Sequence, residues 1–113
     1  MWYIAKLVFQ IKGKGMHTPQ FDEHLRLIEA HAFEEAFLKA RVMGIGFEET
    51  VLNKKHGTVS WEFVNVAELR PIEEFKNGME LHSQVREMEE ANQYIRYIHN
   101  QAASMQLEDR PLF

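Results

Sequence analysis

Six histidines in a chain of 113 residues are the side chains best able to act at neutral pH as bases, acids or metal ligands. His17, His24 and His31 recur at intervals of seven. On a strand, residues an odd number apart point to opposite faces, so this spacing does not converge the three. His24 and His82 each fall on the more polar side of an alternating segment, and Glu62 falls on the polar side of another. Two imidazoles and a carboxylate from neighbouring strands would form an open metal site or an acid–base pair. His24, Glu62 and His82 are therefore the candidate ligand site. The plainer reading is surface histidines, and no catalytic residue, metal ligand or cofactor is assigned.

Other constellations carry less. Cysteine is absent, which removes disulfides, thiol nucleophiles and thiolate metal sites. Ser83 follows His82, but adjacent residues of a regular strand point apart and make no nucleophile–base pair, and there is no Gly-x-Ser-x-Gly elbow. The basic run Lys12-Gly13-Lys14-Gly15-Met16-His17 lacks the longer glycine pattern and Lys-Ser or Lys-Thr of a phosphate loop and reads as a turn. Lys54-Lys55-His56 is a second basic tip; without interleaved aromatic residues the pair makes no stacking platform for nucleic acid. The adjacent acids Glu34 and Glu35 read as helix-start charges.

The elements that must position these residues emerge from periodicity. Trp2 to Lys12 is rich in aromatic and branched residues and reads as a strand apolar on both sides, hence a central one. Phe21 to Ala30 reads as its hairpin partner, with Phe21, Leu25 and Leu27 on one face and Asp22, His24, Arg26 and Ile28 on the other. Phe33, Ala36, Phe37, Ala40 and Met43 form one helical stripe, with Gly44 as its expected stop and Ile45 as the closing contact. A hairpin comes next, Glu49–Asn53 and Thr58–Leu69, ended by Pro71. Asn77-Gly78 leads into a last alternating segment, Met79–Val85. Met88, Ala91, Ile95, Ile98, Ala102 and Met105 then keep a 3-4-3-4-3 spacing along a second helix. The expected architecture is α+β, an antiparallel sheet of about five strands in the order β-β-α-β-β-β-α.

The opening Trp2-Tyr3-x-Ala5-Lys6-Leu7-x-Phe9, the helix start Phe33-Glu34-Glu35-Ala36, Trp61-x-Phe63, and Asn77-Gly78-x-Glu80-Leu81-x-Ser83 together resemble a bacterial family, domain of unknown function 4288. The resemblance covers roughly residues 2–87. It implies an α+β domain of antiparallel strands with a helix packed on them, and it implies no reaction. The short first hairpin loop and the Met88–Met105 helix depart from the family pattern.

At 113 residues the chain is expected to be a single domain, with residues 2–87 as its core, 88–105 as a C-terminal helix and 106–113 as a loose tail. A net charge of −4 disfavours polyanionic partners such as nucleic acid. No apolar stretch approaches the ~18 residues of a membrane span, and no secretory leader opens the chain, so a cytoplasmic protein is expected. If the first helix covers the Trp61, Phe63, Leu25, Leu27 and Leu81 face, a second face remains, with Ile4, Val8, Ile28, Val64 and Val66 among polar residues. A contiguous apolar patch of that kind marks an interaction surface. Those five residues, with Met88, Ala91, Ile95, Ile98, Ala102 and Met105, are the expected interface of a homodimer, another protein being the alternative partner.

Overall fold

The computed structural model describes residues 1–54 and 57–107. In chain order the elements are β1 (Trp2–Gly13), β2 (Gln20–Glu29), α1 (Phe33–Gly46), β3 (Glu49–Asn53), β4 (Gly57–Ile72) and α2 (Ala91–Leu107). The strands form an antiparallel sheet in the order β2-β1-β4-β3. The fold is α+β, as expected, with β1 in the sheet interior. Two compact units divide the chain: Met1–Leu81, holding the sheet and α1, and His82–Phe113, holding α2. Lys55 and His56 of the second basic tip lie outside the described residues, as do residues 108–113 of the expected tail.

The β1–β2 connection is a tight turn in which Met16 N–H donates to the Gly13 carbonyl at 3.2 Å. Gly15 takes φ +86° there, a conformation that side chains with a Cβ rarely adopt. The basic, glycine-rich run is thus a hairpin tip.

Tyr3, Ala5, Leu7 and Phe9, the odd positions of β1, pack with Ile28, Ala30, Ala36 and Ala40 to form the core. Leu7 and Phe9 are essentially inaccessible to solvent, each stabilising the fold by roughly 1.5–3 kcal/mol through apolar burial. α1 reaches the sheet through its small residues. Ala36, Ala40 and Gly44 are its buried positions, one per turn, and they let the helix backbone approach the strands closely. Gly44, the expected stop of α1, lies inside the helix instead, where a Cβ would sit 2.2 Å from Phe63 Cε1. The glycine makes room for a ring. Ile45, expected just past the stop, lies within the helix, which runs on to Gly46, and is half exposed.

β4 departs from simple alternation at two places. Lys6 pairs with Glu68 but Leu7 with Val66, and Val8 pairs with Asn65 but Phe9 with Phe63. Ala67 and Val64 are therefore the extra residues of two bulges. Each bulge reverses the facing of the residues beyond it, so Val66 joins Phe63, Trp61 and Leu69 on the α1 side. Pro71 is paired with Tyr3 within β4 rather than beyond it. β3 pairs only with Gly57–Trp61, so β4 is an edge at Pro71 and loses no ladder bond to the missing N–H.

Met79–Val85, expected as a fifth strand, is not one. Asn77-Gly78 does turn, with Gly78 at φ +80°, but the Leu81 carbonyl accepts from Arg70 Nη2 instead of from a ladder partner.

Candidate functional site

β1–β2 pairing places Tyr3, Ala5, Leu7 and Phe9 opposite Ile28, Arg26, His24 and Asp22. Directly opposed residues of an antiparallel pair share a face, so His24, Arg26 and Asp22 stand on the α1 side. Glu62 pairs with Gln10 and stands on the other side, where it forms an ion pair with Lys12 at 2.9 Å. The expected site of His24, Glu62 and His82 is therefore not assembled: the sheet separates His24 from Glu62. His82 is exposed and belongs to no strand. Among the described residues no three His, Cys, Asp or Glu side chains converge as a metal site would require.

The structure instead joins residues from one face of β2 to β4 and to the end of α1. Asp22 Oδ2 lies 2.9 Å from His24 Nε2 and accepts from Trp61 Nε1–H at 3.2 Å. Arg26 Nη2 donates to His24 Nδ1 at 3.2 Å, and its guanidinium lies 4.3 Å from the centre of the Phe47 ring, within cation–π range. The two hydrogen bonds assign the imidazole proton to Nε2. Both ring nitrogens are then engaged by side chains of the same strand. Phe9 backs the ring at a centroid distance of 4.8 Å. The arrangement orients side chains at the sheet's outer strand and exposes them there, since α1 covers only the Ile28 end of β2.

At the other end of α1, His31 N–H donates to Glu35 Oε2 at 3.0 Å, and Lys39 Nζ lies 3.1 Å from Glu35 Oε1. The backbone bond first, and then Lys39, hold the Glu35 carboxyl below the usual carboxylate range. Lys39 also donates to the Glu29 carbonyl at 2.9 Å. It thereby ties α1 to the end of β2.

The face without α1 carries Ile4, Lys6 and Val8 of β1 beside Phe21, Leu25 and Leu27 of β2. Phe21 is 56%, Leu25 46% and Leu27 51% exposed. Ile4, Leu25 and Leu27, with Phe75 and Leu81, line a depression of about 180 Å³. Of the interface residues expected in the sheet, Ile4 and Val8 lie on this face, although Ile4 is itself buried at 7% exposure, and Val64, at a bulge, is 54% exposed. Ile28 and Val66 do not: both turn toward α1, Ile28 being 2% exposed. Leu25 and Leu27 exchange places with them. In α2, Ala91, Ile95, Ile98, Ala102 and Met105 keep their helical spacing, Ile95, Ile98 and Met105 are exposed, and Met88 precedes the helix.

α1 also has a second apolar row. Leu38, Val42 and Ile45 are 60%, 71% and 55% exposed. Leu38 and Val42, together with Leu27 and Ile28, line a groove of about 610 Å³ beside β2. Asp22 and Leu38 carry a signal in their spacing that the histidine pattern overshadows: Asp22, His24 and Arg26 recur at steps of two, Leu38 and Val42 at a step of four. Trp61 reads as a core residue, and nothing in its own neighbourhood announces its bond to Asp22.

No match was found among curated proteins or among solved structures. The family described as Domain of unknown function (DUF4288) matches residues 2–83, a span that takes in the whole sheet and α1, and the chain belongs to that family.

Proposed function

We propose that the protein works by association with a second copy of itself rather than by catalysis. The observation that carries this reading is the continuous apolar exposure around β2. Leu27 belongs both to the groove beside α1 and to the depression on the open face, so one surface wraps the outer strand of the sheet. Isolated exposed apolar residues are ordinary, but contiguous ones rimmed by charge mark contact surfaces. Charged groups lie beside it: Glu29, Glu35 and Lys39 line the groove, and Lys6 pairs with Glu68 on the open face. The half-exposed row of α2 offers a second contact of the same character, with Tyr94 and Tyr97 beside it, as suits an interface.

A second copy is the favoured occupant because it supplies what this surface lacks, an apolar row and an outer strand of matching length. Two-fold pairing is also the commonest arrangement of soluble oligomers. Sedimentation velocity and light scattering across micromolar concentrations test the reading. The expected result is a species of twice the chain mass that dissociates on dilution; a monomer throughout the range overturns it.

A further inference from the structure

The sheet's two borders are unequal. On the β3–β4 side, β3 is five residues long, β4 carries two bulges, and Pro71 removes a donor near its end. Two further donors there are occupied within the chain, Phe63 N–H by Glu48 Oε2 at 3.0 Å and Val66 N–H by Asn65 Oδ1 at 2.8 Å. These are the devices by which sheets prevent unwanted strand addition: short edges, bulges, proline and occupied donors.

β2 has none of these four, its charged Asp22, Glu23, Arg26 and Glu29 being the protection it does carry. It runs ten residues without glycine, proline or lysine, and its pairing with β1 continues from Trp2↔Glu29 to Ile11↔Gln20 without a shift. Ala30 N–H donates inward to the Met1 carbonyl, while the Glu29 carbonyl faces outward to Lys39. Backbone groups alternate along a strand. The N–H and C=O groups of Phe21, Glu23, Leu25 and Leu27 therefore point away from β1. Among the described residues, the bond from Lys39 to Glu29 is the hydrogen bond made to that border.

We infer that two copies pair β2 against β2, antiparallel, about a two-fold axis at His24, joining their sheets into one. This deepens the proposed self-association and rests on it. The register comes from charge. An axis through the sheet matches residues of like facing whose numbers sum to a constant even value. An axis at Glu23 sets that carboxylate against its own copy. An axis at Leu25 places Arg26 opposite His24 and Phe21 opposite Glu29. An axis at His24 places Asp22 opposite Arg26 and Phe21 opposite Leu27, each twice by symmetry, and Gln20 opposite Ile28. Of the three, the His24 register opposes Asp22 with Arg26 and Phe21 with Leu27 and brings no two carboxylates together, at the cost of setting Glu23 opposite Leu25. Asp22 and Arg26 then meet in a position without ladder bonds, where side chains come closest. Leu38 and Val42 flank the same border, and in this register the Gln20–Phe21 end of the second copy's strand lies against the groove they line.

The test has three measurements on the full chain. Sedimentation first establishes whether wild type dimerises at roughly 100 μM, a range that detects even modest affinity. Because the chain has no cysteine, His24→Cys then reports the axis directly. Two such residues face each other with Cα atoms about 4.5 Å apart in a position without ladder bonds, inside the range a disulfide spans. Mild oxidation is expected to give a covalent dimer. Gln20→Cys, whose copy lies eight positions along the partner strand and so roughly 26 Å away, is expected to stay monomeric on reducing-agent-free gels. Third, Asp22→Arg and Arg26→Asp are each expected to raise the dissociation constant about tenfold or more, and the double exchange to bind about tenfold tighter than the sum of the two single effects requires, with urea denaturation accounting for the intrachain bonds that Asp22 and Arg26 also lose.

A wild-type monomer overturns both the association and this register. A wild-type dimer in which His24→Cys fails to cross-link and the exchange fails to restore affinity overturns the β2 pairing alone. Should His24→Cys fold poorly, the charge exchange decides the matter by itself.

Discussion

One oxygen of Asp22 serves both Trp61 and His24, so removing it strips two partners together. Asp22→Ala is expected to lower stability by about 1 kcal/mol, since the group is half exposed and water replaces part of what is lost. Asp22→Asn keeps an acceptor for the indole N–H and is expected to lose less. Urea denaturation tracked by tryptophan emission separates the two variants; equal losses would mean that the Trp61 bond contributes nothing. Gly44 gives the opposite kind of test. Alanine is the better helix former by about 1 kcal/mol, yet at position 44 its methyl would overlap the Phe63 ring. Gly44→Ala is expected to destabilise by about 2 kcal/mol through overpacking. Gly46→Ala, with nothing within 4 Å of the new methyl, is expected to be neutral or slightly stabilising. Thermal melts of the pair check this. Reversal of their order would show that α1 can withdraw from β4 at little cost.

α1 begins without a polar cap. Ala32 is its N-cap and offers no side-chain acceptor; Glu35 reaches back to the His31 N–H instead. Ala32→Asp is expected to add about 1 kcal/mol, the usual gain from a capping oxygen, read as a higher Tm. Glu35→Gln is expected to lower it at neutral pH. The Glu35 carboxyl titrates below its usual range, so its contribution is full above the ordinary carboxylate pKa. That contribution is lost as pH falls through the lowered value in the folded protein. The wild-type advantage over Glu35→Gln therefore shrinks in acid, and an advantage independent of pH would assign the effect to something other than the charge. The elements themselves are largely legible from periodicity. β1, β2, β3 and α1 can be read in Trp2–Lys12, Phe21–Ala30, Glu49–Asn53 and the Phe33–Met43 stripe. Facing cannot. Alternation assigns residues to the two sides of a strand but does not say which side receives the helix, and the polar row Asp22, His24, Arg26 resembles a solvent face. It lies on the α1 side because the helix stops short of it. In β4 two extra residues, Ala67 and Val64, break the count, and Val66 changes sides with no local signal in its own identity. His24 and Glu62 each stand on a strand as their alternation implies, but their strands face them apart, and the segment holding His82 forms no strand at all.

At the scale of the molecule, the two contact rows predict separable effects. Ile95→Asp with Ile98→Asp, on the exposed side of α2, is expected to raise the dimer dissociation constant about tenfold if that row contributes to the contact. The native circular dichroism signal should be unchanged. Unaltered affinity by sedimentation would confine the contact to the sheet. No helix among the described residues is long and apolar enough to cross a membrane. The inequality of the sheet's borders has one more consequence, which concerns how far assembly can go. A strand-bearing unit with two open borders has a valence of two and adds copies without end, as a ribbon or fibre. With β2 open and the β4 border closed by Pro71, the two bulges and the Glu48 contact, the valence is one. On the proposed β2 pairing, joining two copies uses up the open strand border, and growth through the sheet stops at the pair.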